Sequence, residues 1–254
     1  MGKSGTDLAR EAANMVITDD NFSTIVKAIR QGRVIYENIR RAICYLLTAS
    51  VASVLTVASA IIIDGTLAMT PLQLLWLNLI MHIFPGLGIV MQEAAPGIMQ
   101  RPPRDPKASL LGGFEKEQIL MRALMVSLSV LVAIHITRVV TGNEMFVTTV
   151  AFTTISLSLL LQAWSWLFVN AREGGSYQRV SINKFMYLSM LVSYALIAVA
   201  IYMPGLQMVL NTVALEIPCL TIAASMSILS YAACLLYDLL RAKLTEKRHR
   251  GELA

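Results

Sequence analysis

The sequence predicts an all-α membrane protein with six transmembrane helices, preceded by a short N-terminal cytosolic α/β remnant. Hydrophobic residues make up 56% of its 254 residues, and the charged residues fall into a few clusters instead of spreading along amphipathic elements. Six apolar runs are each about 20 residues long, which is the length that a helix needs to cross a bilayer. We expect the spans at residues 43–63, 72–91, 119–140, 146–169, 185–203 and 217–240.

Residues 1–21 are polar and precede the first apolar run. Their pattern predicts a helix over residues 7–14, a strand over residues 15–18 and a break at Asp19–Asp20. This order is typical of the last β/α unit of a cytosolic domain, and we interpret residues 1–21 as its remnant. The Gly2-Lys3-Ser4 sequence lacks the upstream glycine and preceding strand of a phosphate-binding loop, so it does not predict a nucleotide site.

Residues 22–42 predict a basic cytosolic stalk helix that continues into the first span. Isoleucines recur there at helical spacings, and lysine and arginine are frequent until the span begins. A side chain of Asp19, Asp20 or Asn21 can accept hydrogen bonds from the free N–H groups at the helix start. We therefore divide the chain into the remnant at 1–21, the stalk at 22–42, a transmembrane domain at 43–240 and a basic tail at 241–254.

Lysine and arginine residues lie mainly on one side of the predicted membrane. The linkers at residues 64–66, 141–144 and 204–205 contain neither, and only Arg138 lies near that face, where it can snorkel to the interface. Because positively charged segments stay in the cytoplasm, we expect both termini to be cytoplasmic, in a multi-pass protein of the plasma membrane. The basic tail directly follows a span, so we interpret it as contacting anionic lipid rather than nucleic acid.

Three interruptions break the apolar run of the second span: Asn78, His82 and the Pro85–Gly86 pair. Polar side chains and helix breakers are costly in a bilayer unless they face protein, water or an ion path. Asn78 and His82 are four residues apart, so they share one face of a helix. Proline removes a backbone hydrogen bond, which frees a carbonyl around Met81.

In the first span, Ser50 and Ser53 are three residues apart and also share a face. A neighbouring first span can bring both hydroxyls towards the interruptions in the second. The sequence thus predicts a polar pocket at mid-membrane depth, facing the bundle interior between these two spans. Its ion-pathway candidates are Ser50, Ser53, Asn78, Met81 and His82, with Pro85 as the helix break.

Four motifs follow one another along the chain. They are Gly2-Lys3-Ser4-Gly5-Thr6-Asp7 with Asp19-Asp20-Asn21-Phe22, Gly32-Arg33 with Tyr36 and Asn38, Gln73-Leu74-Leu75-Trp76-Leu77-Asn78-Leu79 with Pro85, and Arg101-Pro102-Pro103-Arg104. In this order they resemble the C-terminal part of P-type cation-transporting ATPases, nearest the calcium-pump-like subgroup. The resemblance implies the end of the HAD-like phosphorylation domain, the stalk of the fifth membrane helix, the sixth helix and the cytosolic coupling loop after it.

The resemblance implies a ten-helix pump that moves cations at the expense of ATP, with the six spans as its fifth to tenth helices. The Asp-Lys-Thr-Gly-Thr and Gly-Asp-Gly-Val-Asn-Asp motifs of such pumps do not occur in this sequence. Phosphoryl transfer needs an acceptor, Mg²⁺ ligands and a positioned nucleotide. We therefore expect no cofactor and no ATP hydrolysis in this chain alone. Mg²⁺ and ATP are implied for the complete pump, and the missing N-terminal part is the implied partner.

The ion pathway departs from the calcium-type pattern that the resemblance implies. Ser50 and Ser53 stand where such relatives have asparagine and glutamate in the fifth helix. In the sixth helix the Asn-x-x-Thr-Asp pattern keeps Asn78 but has Met81 and His82 in place of threonine and aspartate. Calcium is bound by several hard oxygen ligands, usually with carboxylates among them. We therefore expect no high-affinity calcium site, and the metal remains open.

His82 has two interpretations. It can be a soft-metal ligand or a proton-linked switch, because imidazole titrates near neutral pH and binds transition metals. Alternatively it is a neutral histidine that is hydrogen-bonded between helices, and we favour this because one histidine supplies only one of the usual four ligands. Cys44 is the other nearby candidate ligand, but the three cysteines lie in apolar runs without metal-type spacing.

Two classes of function remain open on the sequence. The chain is either the membrane-domain portion of a cation pump, with its catalytic domains elsewhere, or a non-catalytic interaction or regulatory protein derived from such a pump. Cytosolic pump motifs encoded immediately upstream would favour the first class. A genuine start signal at Met1 with no partner would favour the second.

Overall fold

The computed structural model describes residues 2, 5–94, 97–100, 102–103, 109–169 and 183–251, with residues 168–169 and 242–251 described by backbone alone. Helices account for almost all of it. They are α1 (Asp7–Ala12), α2 (Phe22–Asp64), α3 (Pro71–Trp76), a π-helical turn (Leu77–Met81), α4 (His82–Val90), α5 (Gly113–Thr141), α6 (Glu144–Val169), α7 (Lys184–Tyr202), α8 (Pro204–Leu210) and α9 (Ile217–Gly251).

Six of these segments are long and apolar enough to cross a membrane: α2, the α3–α4 pair, α5, α6, α7 and α9. This confirms the predicted all-α membrane fold with six spans. The helices extend beyond several predicted limits; α5, for example, begins at Gly113 instead of residue 119. An apolar run marks the part of a helix that lies in hydrocarbon, whereas backbone hydrogen bonds continue into water.

The N-terminal α/β prediction is not confirmed. The helix is present as α1, where the Thr6 side chain accepts a hydrogen bond from the Ala9 N–H at 3.3 Å. Residues 15–18 form no strand, and within the part of the chain that the structure describes their backbone has one distant bond, from the Gly2 N–H to the Ile17 carbonyl at 2.7 Å. A strand needs a neighbouring strand along its length, and the described residues near it supply one pairing.

Helix α2 is one continuous element of 43 residues that contains both the predicted stalk and the first span. It begins at the Asn21 side chain, which accepts a hydrogen bond from the Ser23 N–H at 2.9 Å. It ends at Gly65, whose φ of 66° is a left-handed conformation that glycine adopts without strain. The division between stalk and membrane domain at residues 42 and 43 stays a prediction.

Helices α5, α6 and α9 pack against one another, α2 lies against α5, and α4 lies between α2 and α7. Helix α6 is central, since 67% of its most apolar stretch is buried inside the bundle, compared with 33% of the corresponding stretch of α2. Its fully buried side chains include Phe152, Ile155 and Trp166. The bundle is thus best covered around α6, whereas α2 and α9, the latter 28% buried over its apolar stretch, both leave much of their apolar surface exposed.

The ends of the spans opposite the N-terminus are joined by a charged cluster. The Arg138 guanidinium forms ion pairs with Asp64 at 2.8 Å and with Glu144 at 3.1 Å, and it donates to the Thr66 hydroxyl at 3.0 Å. Since these partners lie at the ends of α2 and α6, Arg138 connects three helices. The sequence predicted snorkelling for this side chain, but not its partners.

Candidate ion-pathway site

The second span stays helical from Pro71 to Val90 but changes its backbone hydrogen-bond pattern at the residues that interrupt its apolar pattern. The α-helical hydrogen-bond pattern stops after Trp76, and the five residues Leu77–Met81 form a π-helical turn before α4 resumes. Single π turns within α-helices are frequent at functional sites. Pro85 lies four residues beyond Met81 and has no N–H, so the Met81 carbonyl lacks its α-helical donor.

Tyr45 supplies the missing donor. Its hydroxyl donates to the Met81 carbonyl oxygen at 2.7 Å, and the tyrosine is 0% exposed. The carbonyl that the sequence predicted to be freed therefore accepts a bond from α2. This bond connects the first span to the break in the second at a buried point, and the sequence did not predict it.

The five candidate residues differ in their surroundings. Met81 is fully buried and Ser53 is 7% exposed, with the Ser53 hydroxyl donating to the Ala49 carbonyl at 2.9 Å. His82 is half-buried, and its buried Nε2 has no hydrogen-bond partner within the described part of the chain. Ser50 and Asn78 are both exposed.

Ser50 and Asn78 nevertheless lie at a similar depth. The first two spans run in opposite directions, and a helix rises about 1.5 Å per residue. Measured from the Tyr45–Met81 bond, Ser50 lies about 7–8 Å and Asn78 about 4–5 Å towards the other end of the spans. The described helices do not enclose the five candidates, so a pocket facing the interior stays a prediction.

The donor set at this site is neutral. It offers the Asn78 amide, two serine hydroxyls, the His82 imidazole and backbone carbonyls, and the sequence contains no Asp or Glu at residues 43–63 or 72–91. The nearest acids along α2 are Glu37, paired with Arg41 at 2.7 Å, and Asp64 at the opposite end. Among the described residues, no group of three His, Cys, Asp or Glu side chains could hold a metal ion.

At the stalk end, α2 holds the segment that leaves α4. The Asn38 side-chain amide donates to the Val90 carbonyl at 3.1 Å and to the Gln92 carbonyl at 2.6 Å, and Arg33 donates to the Ile98 carbonyl at 2.9 Å. A cavity of about 520 Å³ lies between the stalk and this segment, bordered by residues such as Lys27 and Glu93. Movement of the stalk would therefore displace the end of α4, through the Asn38 hydrogen bonds.

Only part of the predicted coupling loop can be described. Pro102 and Pro103 are exposed and belong to no helix. Arg101 and Arg104 lie outside the described residues, so their assignment to this loop rests on the sequence.

Sequence reasoning missed a buried charged cluster in the other half of the bundle. Arg122 on α5 is 0% exposed and forms an ion pair with Asp238 on α9. It also donates to the Gln162 side-chain oxygen at 2.7 Å and to the Ser165 hydroxyl at 2.8 Å, both on α6. The available signal was one basic and one acidic residue inside two predicted spans, each near the same end.

Comparison with known proteins indicates one family for this chain. A family model described as "Cation transporting ATPase, C-terminus" matches residues 66–240. A calcium-transporting ATPase of Bacillus subtilis is 34% identical over 217 residues, which are 85% of this chain and 24% of that protein. A calcium-transporting ATPase of Listeria monocytogenes is 33% identical over 162 residues, which are 64% of this chain and 18% of that protein. A cation-transporting ATPase of Synechocystis is 39% identical over 128 residues, which are 50% of this chain and 14% of that protein.

The chain spans between 14% and 24% of the length of these relatives. The family match begins after α2 and covers the second to sixth spans as far as residue 240, so the motif of the second span lies within it and the stalk motif precedes it. The chain therefore belongs to the family of P-type cation-transporting ATPases and corresponds to their C-terminal membrane portion.

Proposed function

We propose that this chain is the membrane-domain portion of a pump that moves a cation across a membrane, using ATP hydrolysed by domains outside this chain. The observation that carries the proposal is the break at Leu77–Met81, followed by Pro85, in the second of six spans. Irregular backbone at membrane depth is tolerated where it lines a cavity or is buried in protein. A broken span beside α2 therefore supports an ion path between these helices.

The remaining part of the pump is the proposed partner, and it would cover the open side of α2 and α3. Ser50 and Asn78 are exposed there at a similar depth. Polar side chains in the middle of a bilayer usually face protein or water instead of lipid. The N-terminal helices of a complete pump, which the relatives are long enough to contain, would give these side chains a protein environment and complete the ion path.

We propose a retained ion path with lost calcium specificity, because the first two spans of this chain supply no carboxylate to it. Asn78, Ser50, Ser53 and the Met81 carbonyl offer oxygens without charge, and His82 offers a nitrogen. Calcium sites usually contain carboxylates. A tightly bound divalent cation would therefore need acidic ligands from the N-terminal helices.

ATP and Mg²⁺ belong to the catalytic domains of the complete pump in this proposal. Both termini lie in the cytoplasm in this proposal, which the distribution of basic residues supports, and the membrane is proposed to be the plasma membrane. Reporters fused at Gly65, Gly142 and Gly205 should lie outside the cytoplasm, and those at Arg104, Gly174 and Ala254 inside. A reporter at Ala254 outside the cytoplasm would contradict the orientation.

Transport by a complete pump carrying this membrane domain tests the function. We expect Asn78→Ala to raise the cation concentration needed for half-maximal ATP hydrolysis, since an oxygen ligand is lost. His82→Ala should change the cation preference or the pH profile. Leu75→Ala is the matched control, because Leu75 is exposed on the same span, one turn from Asn78, and offers no polar atom.

The loss of acidic ligands also favours a second candidate, a regulatory or degenerate membrane protein. In that case Asn78→Ala and His82→Ala would change thermal stability alone, and cation-dependent ATP hydrolysis of the complete pump would be unaltered. The chain by itself should form no phosphoenzyme from labelled ATP, because the acceptor motif is absent from its sequence. Acid-stable labelling of this polypeptide would contradict that expectation.

A further inference from the structure

Helices α6 and α9 run parallel and meet along a line of small polar side chains. The Ser227 hydroxyl on α9 lies 3.0 Å from the Thr154 carbonyl on α6 and 2.7 Å from the Ala223 carbonyl of its own helix, so its single proton is shared between the two. Two turns further along both helices, the Gln162 amide donates to the Cys234 sulfur at 2.9 Å. These two contacts fix the register of the interface over more than two turns.

Ser158 and Ser230 lie between these two contacts. Ser158 is four residues from both Thr154 and Gln162, and Ser230 is three residues from Ser227 and four from Cys234. Residues three or four apart share a helical face, so both serines point into the interface at about the same level. They are 1% and 2% exposed, and neither hydroxyl has a hydrogen-bond partner in the described part of the chain.

Ser158 on α6 and Ser230 on α9 differ from several neighbouring buried hydroxyls of α6. Thr153, Thr154 and Ser156 each donate to the carbonyl four residues earlier, at 2.7 Å in every case. This local bond is the usual way in which serine and threonine satisfy themselves within a helix. Ser158 and Ser230 do not make it, although leaving a buried polar group without a partner destabilises the fold. Their orientation therefore indicates a partner that lies in the interface.

The same interface contains unpartnered donors and acceptors one or two turns further towards the Arg122–Asp238 pair. The Arg122 Nε and Trp166 Nε1 donors and the Gln118 Oε1 acceptor are buried and unpaired among the described residues. The Arg122 guanidinium lies over the Trp166 ring, 4.7 Å from its centroid. Donors and acceptors thus occur together, on three helices that share one junction.

We propose that the α5–α6–α9 junction contains a buried water site, held by the Ser158 and Ser230 hydroxyls and extending towards Arg122 and Trp166. Water both donates and accepts, and a buried water typically makes about three hydrogen bonds. A metal ion suits the site less, because the adjacent guanidinium is positive and its one nearby carboxylate, Asp238, is already paired. The site is separate from Asn78 and His82, so it stands whether or not the proposed pump function is correct.

Pulsed X-ray hydroxyl-radical footprinting of the full chain in lipid nanodiscs tests this site, because radicals formed from bound water oxidise the side chains beside it. Cys234 and Cys44 are matched probes: both are free thiols, and they are 0% and 1% exposed. We expect several-fold faster oxidation of Cys234 than of Cys44, and rapid oxidation of the buried Trp166. Equal rates at the two cysteines would overturn the proposal.

Substitutions assign the oxidation to the two serines. Ser158→Ala together with Ser230→Ala should reduce Cys234 oxidation to the rate of Cys44, since the water loses two ligands. Ser156→Ala should leave it unchanged, because that hydroxyl is bonded to the Phe152 carbonyl. Circular dichroism and thermal unfolding would establish that each variant is folded, and Ser230→Ala alone replaces the double variant if the latter does not fold. Undiminished oxidation in a folded variant would overturn the assignment.

Discussion

The α5–α6–α9 junction and the α2–α4 pair both place polar groups inside the membrane, but the two regions treat them differently. In the junction, the buried Arg122 is paired with Asp238 and bonded to α6. In the α2–α4 pair, the polar groups are neutral and collect around a break in a helix. Two of them, Ser50 and Asn78, remain exposed.

This difference indicates that one part of the bundle is rigid and that another can change its conformation. A buried ion pair with additional hydrogen bonds holds its helices in one geometry, because separating the charges would leave each of them uncompensated. A π-helical turn whose freed Met81 carbonyl accepts a neutral hydrogen bond from Tyr45 can rearrange at a smaller free-energy cost. We therefore expect α5, α6 and α9 to act as a fixed frame and the π-helical turn before α4 to be the part that rearranges, because α2 is itself ion-paired to α5 through Arg40–Glu115 and Asp64–Arg138.

The largest expected effect is a loss of stability when the Arg122–Asp238 pair of the α5–α6–α9 frame is removed. Arg122→Met leaves Asp238 buried without a counter-charge, and removal of one partner of a buried pair typically lowers the free energy of unfolding by about 3–5 kcal/mol. We expect a strongly reduced midpoint of thermal unfolding in detergent. Arg241→Gln is the control, because the Arg241–Glu117 pair is partly exposed and such pairs contribute about 0–1 kcal/mol.

Adding Asp238→Leu to Arg122→Met should recover part of the lost stability, since two apolar side chains leave no unpaired charge. A single variant as stable as the parent would show that the pair does not hold the three helices. The comparison between the frame and the α2–α4 pair would then lose its basis.

The next effect concerns the helix break. Tyr45→Phe removes the donor to the buried Met81 carbonyl and should lower the free energy of unfolding by about 1–3 kcal/mol. Pro85→Ala restores an N–H that can donate to this carbonyl. The loss from Tyr45→Phe should therefore be smaller in the Pro85→Ala background, and a double-mutant cycle measured by thermal unfolding gives this coupling.

Tyr202→Phe serves as the control for that cycle. Its hydroxyl donates to the Leu215 carbonyl at 3.3 Å, but the side chain is 48% exposed, so water can replace the bond. If Tyr45→Phe costs the same with and without Pro85, the tyrosine does not compensate for the proline.

The Tyr45–Met81 bond also indicates how far sequence reasoning reaches. The chemistry of proline is local, so Pro85 predicted a freed carbonyl around Met81, and the structure has it there. The donor comes from a residue 36 positions away, and the periodicity of one helix carries no information about contacts with another. The Arg122–Asp238 pair, 116 positions apart, was missed for the same reason.

The spans were predictable because bilayer thickness sets their length. Two smaller elements were not. The residues at 204–205 were expected to be a linker, but Pro204 starts the helix Pro204–Leu210, since proline suits a first turn. The strand at residues 15–18 requires a partner strand, which local pattern does not supply. The environments of Asn78 and His82 depend on what covers α2, so their roles stay predictions.

A smaller effect is expected where α4 meets α7. A Cβ at Gly88 would lie 2.6 Å from the Met186 sulfur and 3.3 Å from the Ser189 Cβ. Overpacking typically lowers the free energy of unfolding by about 1–3 kcal/mol. Replacing glycine by alanine within a helix raises it by up to about 1 kcal/mol. We expect a net loss of about 1 kcal/mol for Gly88→Ala in thermal unfolding.

Gly86→Ala is the matched control, two residues away on the same helix. Its Cβ would meet only the Leu46 side chain, at an ordinary contact distance of 3.7 Å. It should therefore be neutral or stabilising. If both substitutions were equally tolerated, the α4–α7 contact would be looser than the structure indicates, and movement of α4 would need no separation from α7.

The smallest expected effect lies at the start of α2, where a carboxylate is exposed instead of buried. The Thr24 hydroxyl donates to Asp19 at 2.6 Å and the Asn21 N–H donates to it at 3.2 Å, and these bonds lower the pKa of the Asp19 carboxyl below its ordinary value. Because the pKa is lowered in the folded state, the charged form stabilises the fold above the unfolded pKa. That contribution is lost as the pH falls through the folded pKa.

Thr24→Val removes the first of these bonds, so the pKa of Asp19 should rise towards its ordinary value, which ¹³C NMR of the aspartate carboxyls can follow. Ser23→Ala should leave the pKa unchanged, since the Ser23 backbone N–H, and not its hydroxyl, makes the bond to Asn21. An unchanged pKa in Thr24→Val would mean that the Thr24 bond does not persist in solution. The first turn of α2 would then depend on the Asn21 cap, and the start of α2 would be less well defined than its contacts with α4.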